Sequence, residues 1–157
     1  MRGPAGIGSV LLASLSVLVS CSDPFDSGEE KELEQAQARW ADAGPFDYQV
    51  EVRLSCFCQA ALPVFSRLEV RAGQVVAATP LAPTPGDVIP LDAWPTVPEV
   101  FESIESASRQ SVYTEIEAQY EPSLGYPTRL ELRCKADVLD CGGTYELQNI
   151  TPITAGP

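Results

Sequence analysis

The sequence predicts an α+β domain: an antiparallel sheet of about six strands with two helices packed on one face. Three observations predict it. Apolar residues alternate with a period of two in several stretches, and two capping boxes each precede a run with helical spacing. The stretches follow the order helix, three strands, helix, three strands, and their short connections suit antiparallel neighbours.

The first helix is announced by Ser27-Gly28-Glu29-Glu30, where a hydroxyl and a carboxylate can each satisfy an orphan backbone N–H. Leu33, Ala36 and Trp40 then recur at helical spacing, and Gly44-Pro45 ends the run. From Tyr48 the period changes. Tyr48, Val50, Val52, Leu54, Cys56 and Cys58 share one face of a strand, while Gln49, Glu51, Arg53 and Ser55 take the other and are expected in water. Arg67 to Arg71 and Gln74 to Thr79 flank Ala72-Gly73 and read as a β-hairpin in which Gly73 supplies the positive φ. Prolines at 80, 83, 85, 90 and 95 make the next segment a loop.

The second helix opens at Thr96-Val97-Pro98-Glu99, with proline in the first turn, where its missing N–H costs nothing. Val97, Val100, Phe101 and Ile104 form its apolar stripe, Glu99, Glu102 and Glu105 its solvated side, and Arg109 stands near the negative end of its dipole. Ser111 to Tyr120 alternates again, with Val112, Ile116, Ala118 and Tyr120 in register. Glu121 to Pro127 is a turn, Leu130, Leu132 and Cys134 lie on the apolar side of the following strand, and Thr144 to Ile150 closes the sheet.

Ahead of all this stands an apolar run, Ile7 to Val19, behind Met1 and Arg2. It falls short of the ~20 apolar residues a spanning helix needs and reads as a signal peptide, residues 1–20. Leu18-Val19-Ser20-Cys21 resembles the lipobox of bacterial lipoproteins. The resemblance implies cleavage before Cys21, lipidation of that cysteine, and a domain anchored to a membrane but facing outside the cytoplasm, since two or more acyl chains hold where one binds only marginally. Under a plain secretory signal, Cys21 is left as an unpaired fifth thiol. Ser22 follows it, which in an envelope with two membranes is similar to lipoproteins sent to the outer one. Residues 21–28 then form the lipidated cysteine and its tether, and 29–157 one domain.

Loss of Arg2 with the signal leaves 9 of the 10 Lys and Arg against 22 Asp and Glu, a net of −13 where the whole chain carries −12. Such a chain repels phosphate backbones, so a nucleic-acid partner is not expected.

Trp40, Asp47-Tyr48, Ser55-Cys56-Phe57-Cys58, the Arg71 to Val76 hairpin, Thr96 to Phe101, and Tyr120 to Pro127 ending in Gly-Tyr-Pro occur in that order. Together they look like a family of exported bacterial proteins known only as a domain of unknown function, over about residues 33 to 150. The resemblance implies an envelope or extracellular α+β domain, often lipid-anchored, with no catalytic residues to carry over. Gln59-Ala60 stands where the pattern suggests proline, and Cys134 and Cys141 look like an addition to it.

That bears on the disulfides. A bridge between Cys134 and Cys141 closes a short connection between two strands. Cys56 and Cys58, at i and i+2 with Cα atoms ~6.6 Å apart in a straight strand, pair only where the strand bends. Local pairing of the added cysteines leaves the family-like pair to itself, so Cys134 with Cys141 and Cys56 with Cys58 are expected. The alternative has Cys134 reaching across the sheet to Cys56 or Cys58.

The chain has no histidine, which excludes Ser-His-Asp, Cys-His and His-containing zinc sites. A Ser-Lys site would need Lys31 or Lys135, and neither has a Ser-x-x-Lys spacing. Carboxylate pairs arise by chance among 22 acids, and Asp137 with Asp140 lacks the alternating ligands of a calcium loop. Four cysteines in an oxidising envelope form disulfides rather than a zinc site. Asn149-Ile150-Thr151 matches a glycosylation sequon but reads as strand. No catalytic residue, metal or cofactor is therefore expected. Two classes remain: a non-enzymatic binding or structural module presenting a sheet, or the acidic proline-rich loop Pro80 to Pro95, to a protein or envelope partner, or a thiol-disulfide protein using Cys56 and Cys58. The strand alternation puts both sulfurs on the core face of a chain poor in cations, against the exposed, cation-flanked thiolate that redox work needs.

Overall fold

The computed structural model describes residues 25–56, 62–83, 89–139 and 141–154. The elements are α1 (Ser27–Ala43), β1 (Tyr48–Cys56), β2 (Leu62–Arg71), β3 (Gln74–Pro80), a single 3₁₀ turn (Leu91–Ala93), α2 (Val97–Ser108), β4 (Tyr113–Tyr120), β5 (Pro127–Cys134) and β6 (Gly143–Pro152). The six strands form one antiparallel sheet in the order β3-β2-β1-β6-β5-β4, so two three-stranded meanders, each preceded by a helix, join through the central pair β1 and β6. The expected α+β fold is the one found.

Both helices begin with capping boxes, and the first lies one residue ahead of its expected place. Asp26, not Ser27, is the N-cap: its carboxylate accepts from the N–H groups of Gly28 and Glu29, while Glu29 bonds back to the Asp26 N–H at 2.8 Å. An ionised carboxylate accepts two N–H groups at the positive end of the helix dipole, which a hydroxyl does less well. For α2 the box is Thr96 with Glu99, and the Tyr48 hydroxyl accepts a further bond from the Val97 N–H at 3.0 Å. Burial pushes the Tyr48 phenol up to about 12.

One core lies between the helices and one face of the sheet. Leu33 and Ala36 come from α1, and Val97, Val100, Phe101, Ile104 and Ala107 from α2. Alternate residues of the strands meet them, among them Val50, Val52, Leu68, Val70, Ile116, Leu130 and Leu147. Each full burial of a side chain of this size contributes about 1.5–3 kcal/mol. Ladder irregularities keep the alternation on this face. In β6, Gln49 pairs with Thr151 but Glu51 pairs with Gln148, so one residue is extra, and Asn149 sits at φ 56°. Leu147 and Ile150, three apart, therefore both turn inward.

The hairpin turn differs from expectation in one respect: Ala72 (φ 50°) as well as Gly73 (φ 76°) is left-handed. A two-residue turn matched to the twist of its strands needs positive φ at both positions. The Asp47 carboxylate holds Ala72 there, accepting its N–H at 2.9 Å.

The opposite face of the sheet carries a lattice of charge. Register sets Glu51 opposite Arg67, Arg53 and Arg129 on either side of Glu146, and Glu115 opposite Arg133. The side chains pair accordingly: Arg53 with Glu146 at 2.5 Å, Arg129 with Glu146 at 3.3 Å, Arg67 with Glu51 at 3.0 Å and Arg133 with Glu115 at 2.5 Å, while Arg129 and Arg133 also hold Glu131 of their own strand, at 2.6 and 2.8 Å. Glu51, expected in water, is 8% exposed, a correction with a clear cause. The β6 bulge brings the amides of both Asn149 and Gln148 onto one carboxylate oxygen, at 2.8 and 3.0 Å, and Arg67 takes the other.

Four carboxyls are held below the usual carboxylate range: Glu51 by the Asn149 amide, then by Arg67 and Gln148; Glu131 by Arg129, then Arg133; Glu146 by Arg53; and Glu121 by the backbone N–H of Leu124, then that of Ser123. A depressed folded pKa contributes stability that is present above the unfolded value of about 4.3 and lost as pH falls through the lower folded one. The urea midpoint is thus expected to hold from pH 7 to 5 and to drop below about pH 4, less steeply in Glu51→Gln. A midpoint that climbs steadily to pH 3 would mean that relief of the chain's net negative charge outweighs these pairs.

Candidate functional site

The cysteines come first. Cys134 ends β5 and forms a disulfide with Cys141, with Cα atoms 6.0 Å apart, closing the connection into β6. Cys134 therefore does not reach across the sheet to Cys56. Cys56, the last residue of β1, is itself disulfide-bonded; Cys58, its expected partner, and Cys21 lie outside the described residues. Asp137 is exposed and Asp140 also lies outside them. Among the described residues, no three His, Cys, Asp or Glu side chains gather where they could hold a metal ion, and no helix is long and apolar enough to cross a membrane.

The feature with the character of a binding site was not singled out by sequence. A groove of about 560 Å³ opens between α2, the sheet and the 3₁₀ turn. Its sheet side is Leu54 of β1, Leu132 of β5 and Tyr145 of β6, with Tyr113 where β4 begins. Its helix side is Glu99, Glu102, Ser103, Ser106 and Gln110, which recur every three or four residues and so share one stripe beside the buried one. Asp92 and Trp94 form the remaining wall. Burial first, and then the neighbouring Tyr113, keep the Tyr145 phenol raised and neutral. The volume is that of a small-ligand or peptide pocket, with an apolar floor and a polar, acidic helix wall.

Electrostatically the groove differs from the open face. Five arginines of the chain's ten cations (53, 67, 71, 129 and 133) are committed to carboxylates on the lattice. Glu99 is turned back to Thr96, which it accepts from at 2.7 Å. Glu105 is bonded to Gln37 of α1 and Arg109. Asp92 and Glu102 have no ion-pair partner among the described residues. The chain's excess of negative charge therefore falls on the helix side, and low-dielectric walls focus it in the groove.

The sequence model of a family of unknown function (DUF6174) matches residues 32–152. The chain belongs to this family. No curated protein and no solved structure gives a match. The matched span runs from within α1 to the end of β6 and so takes in most of α1, all of α2 and every strand. Three of the family-like residues meet at one end of the fold. Trp40 packs edge-on against Tyr48 and Tyr126, with ring centroids 5.5 and 6.4 Å away, and Tyr48 in turn caps α2. Their work is to join α1, β1, α2 and the turn before β5, rather than to line the groove.

Little in the sequence marked the groove. Glu102 reads as a solvated helix residue, and Tyr113 and Tyr145 as ordinary strand residues. Only the spacing of Glu99, Glu102, Ser103 and Ser106, a polar stripe next to an apolar one, carried a signal.

Proposed function

We propose that this is a non-enzymatic binding domain of the bacterial envelope, held at a membrane by acyl chains on Cys21, whose groove captures its ligand. The observation that carries the binding reading is the apolar-floored groove with carboxylates at its lip that have no ion-pair partner among the described residues. The anchoring reading rests on Leu18-Val19-Ser20-Cys21. From Cys21 to the start of α1 at Ser27 the chain reaches at most about 20 Å, so an anchored domain works within its own diameter of the bilayer. A thiol-disulfide role using Cys56 and Cys58 is the weaker reading: Cys56 ends a strand rather than opening a helix, where a thiolate would be favoured.

The two parts are tested separately. A fatty-acid probe fed to cells is expected to label the wild type and not Cys21→Ser; equal labelling of both removes the anchor. A photo-crosslinking residue at Ser106, in the groove, is expected to trap a ligand in intact cells, while one at Glu117 on the open face does not. Trapping at Glu117 alone would move the binding surface to the sheet, and trapping at neither would end the binding reading.

A further inference from the structure

We propose that the groove's occupant is an extended peptide segment of a partner protein, with lysine or arginine at one end and an apolar side chain at the other; this deepens the binding reading above and rests on it. The charges of the groove are not spread evenly. Glu99 and Glu102 stand in the first half of α2, and Asp92 faces the same space from the 3₁₀ turn. Further along the helix the lining becomes Ser106, Ala107 and Gln110, and beyond these Tyr113, Leu132 and Tyr145. One end is thus acidic and the other apolar and aromatic.

The dimensions suit a chain rather than a compact ion. The helical rise from Glu99 to Ala107 is about 12 Å, the span of roughly four residues of extended backbone. A lysine or arginine head at the acidic end meets Asp92 and Glu102, which have no partner within the described fold, so binding breaks no existing pair. Its aliphatic stem and the apolar residue at the far end bury the surface of Tyr113, Leu132 and Tyr145. A polyamine satisfies the first requirement but brings no side chain for the second. An acidic segment meets like charge at the lip and is rejected.

The test uses the protein purified from its own cells in mild detergent and a phage-displayed library of random heptapeptides. Selection is expected to enrich Lys or Arg two to four positions from Leu, Phe, Tyr or Trp. A synthetic peptide so selected is expected to lose about tenfold in affinity to Asp92→Asn/Glu102→Gln, to lose binding to Ser106→Trp, which obstructs the groove, and to weaken as salt is raised from 0.05 to 0.5 M. All three positions are exposed, so these variants are expected to fold, and their urea midpoints check it. Enrichment without basic residues, equal binding to the double variant, or displacement by spermidine at equal concentration would overturn the proposal. If Ser106 traps a partner in cells while the library yields no basic-apolar motif, the peptide proposal fails and the binding domain stands; if Ser106 traps nothing as well, both fail.

Discussion

Gly125→Ala is expected to destabilise the domain by about 3 kcal/mol or more and to undock α1. Gly125 sits at φ 83°, in the left-handed region that costs a side-chain-bearing residue roughly 1–2 kcal/mol. A Cβ there would overlap the backbone carbonyl oxygen of Ala36 and crowd the Arg39 Cβ. Neither can retreat cheaply, because Ala36 is fully buried in α1 and the turn is tied down: the Gly125 N–H donates to the Glu121 carbonyl at 2.9 Å, and the Glu121 N–H to that of Tyr126 at 2.9 Å. Chemical denaturation of wild type and variant, with Trp40 fluorescence in a Trp94→Phe background following α1, checks this. A loss under about 1 kcal/mol with unchanged Trp40 emission would show that the turn moves away from the helix at little cost.

Phe101→Ala is expected to cost about 3–5 kcal/mol. Phe101 is 4% exposed, lies on the buried stripe of α2 and stacks on Tyr120 with ring centroids 6.3 Å apart and an interplanar angle of 15°. Truncation removes both the buried area and the stack. The space left lies beneath a helix pinned at its start by Tyr48 and by its capping box, so collapse around it is limited. Urea unfolding measures the change, and a value under about 1 kcal/mol would mean that α2 re-docks over the gap.

Local periodicity carried most of the fold. Helix starts, the hairpin at Ala72-Gly73 and the strands were readable because capping, turn chemistry and alternation each act within a few residues. The one-residue displacement of the first cap, from Ser27 to Asp26, shows the limit of that reading: both residue types cap, and their competition is settled by a fraction of a kcal/mol. The groove was less legible. Glu102 looks like any solvated glutamate, and its being left unpaired depends on where every arginine goes, which is a matter of strand register rather than of spacing.

The sequence by itself determined what short-range physics decides: two capped helices, alternating strands, a hairpin, a lipobox-like N-terminus, and the absence of histidine chemistry. Only the tertiary structure decided that β6 lies at the centre of the sheet beside β1, that its bulge at Asn149 buries Glu51, and that five arginines neutralise one face while the groove on the other keeps its charge. The reason is the same in each case. These outcomes depend on which residues on different strands are brought opposite one another, as Glu51 is with Gln148 and Arg53 with Glu146, and no local pattern encodes that pairing.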